Sequence, residues 1–101
     1  MNREIEINGR KFKAAEITFG TVRKLHQLGV DFGHLGKDML TVCSAYVQVS
    51  TRLSEDAVDE LLQRHVLAGG RLEPIIDVFE AQLDESDFFQ ALAKTDKTET
   101  E

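Results

Sequence analysis

The stretch from Met39 to Val49 constrains the fold most. Met39, Leu40, Val42, Cys43, Tyr46, Val47 and Val49 would leave a helix there apolar nearly all round. A surface helix confines its apolar residues to one stripe, so such a helix is either the buried centre of the fold or is covered by a second subunit. Asp38 opens it and it ends near Arg52. Its β-branched residues carry a mild helix penalty that burial overrides. With 101 residues the chain has room for one core and not two.

Ahead of this helix the pattern changes period. Asn8-Gly9 lies between two short alternating runs. Both centre residues of a type I′ turn need positive φ, which Asn and Gly tolerate best. The register then follows: Ile7 faces Arg10, Glu6 faces Lys11, Ile5 faces Phe12 and Glu4 faces Lys13. One face carries Ile5, Ile7 and Phe12 and continues to Ala14. The other carries two acid–base pairs, each contributing a few tenths of a kcal/mol. A lone hairpin is marginal in water, so this one is expected to lie on helices.

The remaining segments read as helices. Thr18 caps one that runs to about Leu28, with Val22, Leu25 and Leu28 or His26 inward, Phe19 stapling its start and Gly29 as its stop. Ser54 caps another, with Glu55 and Asp56 at the positive end of its dipole. Its stripe is Ala57, Val58, Leu61, Leu62 and His65 or Val66, and Gly69-Gly70 ends it. Pro74 belongs in the first turn of a fourth helix, where its missing N–H costs nothing. Leu72, Ile75, Ile76, Phe79 and Leu83 repeat there at helical spacing. Ser86 or Asp87 starts a short last helix containing Phe88, Phe89 and Leu92. The expected fold is thus mainly α: an N-terminal β-hairpin (about 3–14) and about five helices packed as a small bundle. It forms a single domain over 1–94, followed by a disordered acidic and polar tail over 95–101.

Composition and charge exclude several function classes. No run of about 18 apolar residues is present, so no membrane span is expected, and the charged start does not read as a secretory signal. The net charge is −6; nine acids against two bases from Glu73 onward give that segment −7, so the first 72 residues sum to +1. Such an acidic end does not invite phosphate backbones. The helices around Ala57–Leu67 and Leu72–Leu83 could form a helix-turn-helix. The second would then carry Glu73, Asp77, Glu80 and Asp84 where base-reading Arg, Lys, Asn or Gln belong, so no nucleic-acid partner is expected. His26, His34 and His65 lack zinc-ligand spacing, and His34 with Asp38 makes only two ligands. No phosphate loop or calcium loop is present, so neither a metal nor another cofactor is expected. Cys43, mid-helix among apolar residues, reads as a small buried hydrophobe and not a nucleophile. No catalytic constellation emerges, and the chain is expected not to be an enzyme.

What remains is a protein that binds proteins. The apolar perimeter of the second helix points to Tyr46 and Val47 as docking residues, and the last helix points to Phe88, Phe89 and Leu92, since interfaces favour aromatic anchors. The alternatives for both are closure of the core. Self-association through the Asp38–Arg52 helix or the last two helices is a further expectation.

The layout resembles the tail assembly chaperones of long-tailed (siphovirus-type) bacteriophages. The resembling segments are EIEINGRKFK (Glu4–Lys13), ITFGTVRKLHQLGVDF (Ile17–Phe32) and LSEDAVDELLQRHV (Leu53–Val66), then an acidic helix, a short "DFF" segment and a polar end. The strongly apolar middle helix departs from that pattern. The resemblance implies a protein made in the host cytoplasm and absent from the mature virion. It implies binding to the tape measure protein, which is kept soluble until tail tube subunits polymerise around it. It also implies contact with the tail tube protein through a frameshifted longer form. The other reading is a small helical adaptor or regulatory protein-binding domain with a different partner.

Overall fold

The computed structural model describes residues 3–34 and 37–92. The chain runs β1 (Glu4–Ile7), β2 (Arg10–Lys13), α1 (Phe19–Gln27), α2 (Met39–Thr51), α3 (Glu55–Leu67) and α4 (Glu73–Glu85), then a short helix α5 over 87–92. It is mainly helical behind an N-terminal antiparallel hairpin. The tail expected over 95–101 lies outside the described residues.

The hairpin has the register its turn dictates, with Ile7 against Arg10, Glu6 against Lys11, Ile5 against Phe12 and Glu4 against Lys13. Asn8 and Gly9 both adopt positive φ, at 51° and 80°. Ile5 and Ile7 are sealed beneath it, on α3 and α4. Three helix starts are capped by short polar side chains: Thr18 accepts from the Thr21 N–H, Asp38 from Thr41 and Ser54 from Ala57. Pro74 sits in the first turn of α4, as its geometry requires.

α2 is the centre of the fold. It touches α1, α3, α4 and β2, and Tyr46 and Val47 are both 0% exposed. The Tyr46 ring packs on Phe79 of α4 at 4.9 Å between centroids. The apolar perimeter that suggested a second subunit is therefore covered by the chain itself. Only its first turn escapes, where Met39 and Leu40 face outward. Two stripe assignments also resolve. Leu28 is half-buried and His26 exposed, while His65 is half-buried and Val66 exposed.

An extended strap over Ala14–Thr18 links hairpin and bundle without belonging to either. Past the Ala14 N–H, which still bonds across the hairpin to the Arg3 carbonyl, its peptides have no sheet partner, so side chains satisfy several of them. The Tyr46 hydroxyl donates to the Ala15 carbonyl at 2.8 Å, and the Gln82 amide donates to the same oxygen at 3.0 Å. The Ala15 N–H donates to the Ser50 hydroxyl, and the Ser86 hydroxyl donates to the Ile17 carbonyl. Gln82 is the one buried residue of the polar and charged types among those described.

Because two donors share one carbonyl, Tyr46→Phe or Gln82→Leu alone leaves that oxygen one partner, whereas the pair leaves it none. Each single change should cost about 1 kcal/mol in urea unfolding, and the double change should exceed their sum. Simple additivity would show that the shared carbonyl is not what couples them.

Candidate protein-binding site

The sequence places its docking candidates on two elements, and the structure separates them. Tyr46 and Val47 are corrected: both lie in the core, out of reach of a partner. A continuous apolar helix shows that it must be covered, not by what, and here four elements cover it.

α5 is different. Ser86 accepts from the Phe89 N–H at 3.0 Å and so caps α5, while its own hydroxyl bolts the helix to the strap at Ile17. Neighbouring positions on a helix point about 100° apart, so Phe88 and Phe89 leave α5 in different directions. Phe89 packs against the core and against Phe32, at 5.7 Å between centroids. Phe88 meets Phe19 of α1 edge-on, at 5.9 Å and 68°, a favoured aromatic geometry. Phe19 nevertheless stays 65% exposed, and Leu92 is 40% exposed. The expected staple at the start of α1 is thus an outward aromatic, held by α5 and not turned into the core. Of the candidate residues, Leu92 is exposed and Phe88 and Phe89 are both half-buried, Phe89 against the core and Phe88 against Phe19, which joins them as an exposed aromatic.

Beside Phe88 lies a depression of about 310 Å³, lined also by Glu16, Ile17, Gln82, Glu85, Ser86 and Asp87. Its carboxylates stand at the rim, with Glu85 paired to Arg3. The arrangement is an aromatic edge with an acidic border, suited to a segment that carries both apolar and basic residues.

The polar groups singled out in the sequence have structural work. His34 pairs with Asp31, not Asp38, through Nδ1 at 2.8 Å. That bond, and then the Gly33 N–H, hold the Asp31 carboxyl below its ordinary range. Asp38 is likewise lowered by the Thr41 hydroxyl and N–H that it caps. His65 bridges two turns: its Nδ1 accepts from the Asn8 N–H at 2.8 Å, and its Nε2 donates to the Arg71 carbonyl at 3.0 Å. The ring lies over Gly70, where a Cβ would collide with it. That bridge was invisible in the sequence, because its partners are backbone groups. No group of three or more His, Cys, Asp or Glu side chains that could hold a metal ion occurs among the described residues, and none of their helices is long and apolar enough to cross a membrane.

Comparison with protein-family models, with curated proteins and with solved structures returned no match.

Cys43 is buried, and desolvation pushes its thiol from 9.0 up to about 11. At pH 8 about one thiol in a thousand is then ionised. Iodoacetamide should label the native chain at least about a hundredfold more slowly than the urea-unfolded chain. Because the folded thiol ionises later than the unfolded one, this group's contribution to stability is intact below pH 9 and is lost as pH climbs toward 11. Rapid labelling of the native chain at pH 8 would contradict the placement of Cys43.

Proposed function

We propose that this chain is a tail assembly chaperone of a long-tailed bacteriophage, which holds the tape measure protein in the host cytoplasm until tail tube subunits polymerise around it. The observation that carries the reading is the aromatic edge of Phe19, Phe88 and Leu92. It is apolar surface displayed on a small helical scaffold, beside a covered core. The layout of Glu4–Lys13, Ile17–Phe32 and Leu53–Val66 supports the same reading through its resemblance to that family. The contact to the tail tube protein through a frameshifted longer form belongs to this proposal, as do self-association and absence from the finished virion.

The physics of such a role is simple. A long, partly apolar client needs its surface masked until assembly, and the mask must come off. A small aromatic edge gives each copy a weak, releasable grip. Several copies along one client gain avidity without any single contact becoming tight. The net charge of −6 keeps such a coated complex from associating further. The acidic rim at Glu16, Glu85 and Asp87 selects client segments with basic residues beside their apolar ones.

The test is co-expression with a tape measure protein of a long-tailed bacteriophage, taken from a gene next to this one if one is found there, scored by the fraction of client in the soluble lysate. The native chain should raise that fraction severalfold. Phe88→Ala with Phe19→Ala should abolish the gain while circular dichroism stays helical, since neither side chain belongs to the buried core. A client equally insoluble with and without the native chain would reject the chaperone reading in favour of an adaptor with another partner.

A further inference from the structure

The hairpin is two-stranded, so each strand keeps an edge with no strand beside it, and the edge of β1 borders a groove. The Ala14 N–H donates to the Arg3 carbonyl at 2.9 Å, which fixes the phase of the β1–β2 ladder. Arg3, Ile5 and Ile7 are the residues whose peptides bond across to β2. In an antiparallel pair the intervening residues point their N–H and C=O groups the other way. The peptides of Glu4 and Glu6 therefore face outward along β1 with no strand beside them. The Asn8 N–H continues the same row, and it is met: His65 Nδ1 accepts it at 2.8 Å. That bond shows where the edge points, toward the corner between α3 and α4, and it fills the end position of the row.

Beside this edge lies a groove of about 590 Å³. Glu4, Ile5 and Glu6 form one wall, and Ala68, Pro74 and Val78 belong to the other. Ile75 lines it too and is itself nearly sealed. It shares no lining residue with the depression beside Phe88. The combination of an open strand edge, four peptide groups without a strand partner and a largely apolar far wall, whose one cation Arg71 is paired with Glu73, is what a chain needs to add a strand to a sheet.

We infer that this groove accepts an extended peptide segment of a partner protein, added as a third strand against β1, with Lys or Arg alternating with apolar residues. Charge selects that occupant. Glu4 and Glu6 share the exposed face of β1, and the strand already paired to it places Lys13 and Lys11 opposite them. A strand on the other side meets the same two carboxylates and has the same requirement. A second copy of β1 would set glutamates against glutamates, which is unfavourable. A second copy of β2 has the right charges but brings its own hairpin and α2 into a groove whose far wall is the α3–α4 corner.

The test is a titration of the full chain, followed by amide chemical shifts, with a capped peptide alternating lysine and valine. Saturable shifts are expected at Glu4, Glu6 and the residues between Ala68 and Val78. Two changes should weaken binding at least about tenfold: methylating the peptide's bonding-edge amides, and Glu6→Pro in the protein, which removes an N–H that the hairpin does not use together with one of the two carboxylates that select the peptide. A peptide alternating glutamate and valine should bind at least about tenfold more weakly. If Glu6→Pro disturbs the hairpin, the methylated peptide decides alone. Equal binding by that peptide overturns the inference, as do shifts confined to the acidic faces of α3 and α4, or no binding at millimolar peptide. Concentration-dependent shifts of Glu4 and Glu6 without peptide would assign the edge to a second copy and also overturn it.

Discussion

The structure depends on the strap between β2 and α1. Its peptides cross the bundle without a ladder, and a buried unpaired carbonyl or N–H carries a penalty comparable to a lost hydrogen bond. Four polar side chains answer it from three places: Tyr46 and Ser50 on α2, Gln82 on α4, and Ser86 at the joint of α4 and α5. Each is thereby fixed in rotation and depth by a backbone that it must meet. Tyr46 shows the balance. Its ring belongs to the core against Phe79, and burial raises its hydroxyl to about 12, partly offset by the neighbouring Ser50 and Gln82 side chains. It serves as a neutral donor, which is what a carbonyl needs.

Ser86 carries the strap's influence out to α5. One hydroxyl donates to Ile17 and accepts from the first turn of α5, so the orientation of the last helix follows from the path of the strap. That orientation decides which phenylalanine turns inward. Phe89 closes over Phe32, and Phe88 emerges beside Phe19. The exposed aromatic edge is thus a consequence of how the core is tied and not a loose end of the chain.

The sequence made local features legible and cross-chain ones obscure. The hairpin register was complete in Asn8-Gly9 and the alternation around it, because turn type and side-chain period over-determine it. The caps at Thr18, Asp38 and Ser54 were readable for the same reason: each acts within three residues of itself. The centrality of α2 was readable from its apolar perimeter, but what covers that perimeter was not, and Tyr46 and Val47 were offered to a partner when the bundle already held them. Gln82 lay in plain view at helical spacing from Phe79, yet a glutamine in an acidic helix gives no sign of meeting a strap 67 residues away. His65 was recognised as the edge of a stripe. Its role as a bridge depended on two backbone groups and on the room that Gly70, lacking a Cβ, leaves for the ring, which no pattern of side chains encodes.

His65 also explains why the free edge of β1 can persist without a covering strand. A two-stranded hairpin offers its unpaired row to anything extended, and folds restrain such edges with charge or by filling a position. Here both devices act. Glu4 and Glu6 repel a second β1, and the imidazole takes the Asn8 N–H at the end of the row. Because His65 donates from Nε2 to Arg71, its Nδ1 is left as the acceptor that Asn8 requires. The tautomer is set by the α3–α4 turn and read out by the hairpin. The corner that forms one wall of the groove therefore also aligns the strand that forms the other, so the two walls cannot shift independently.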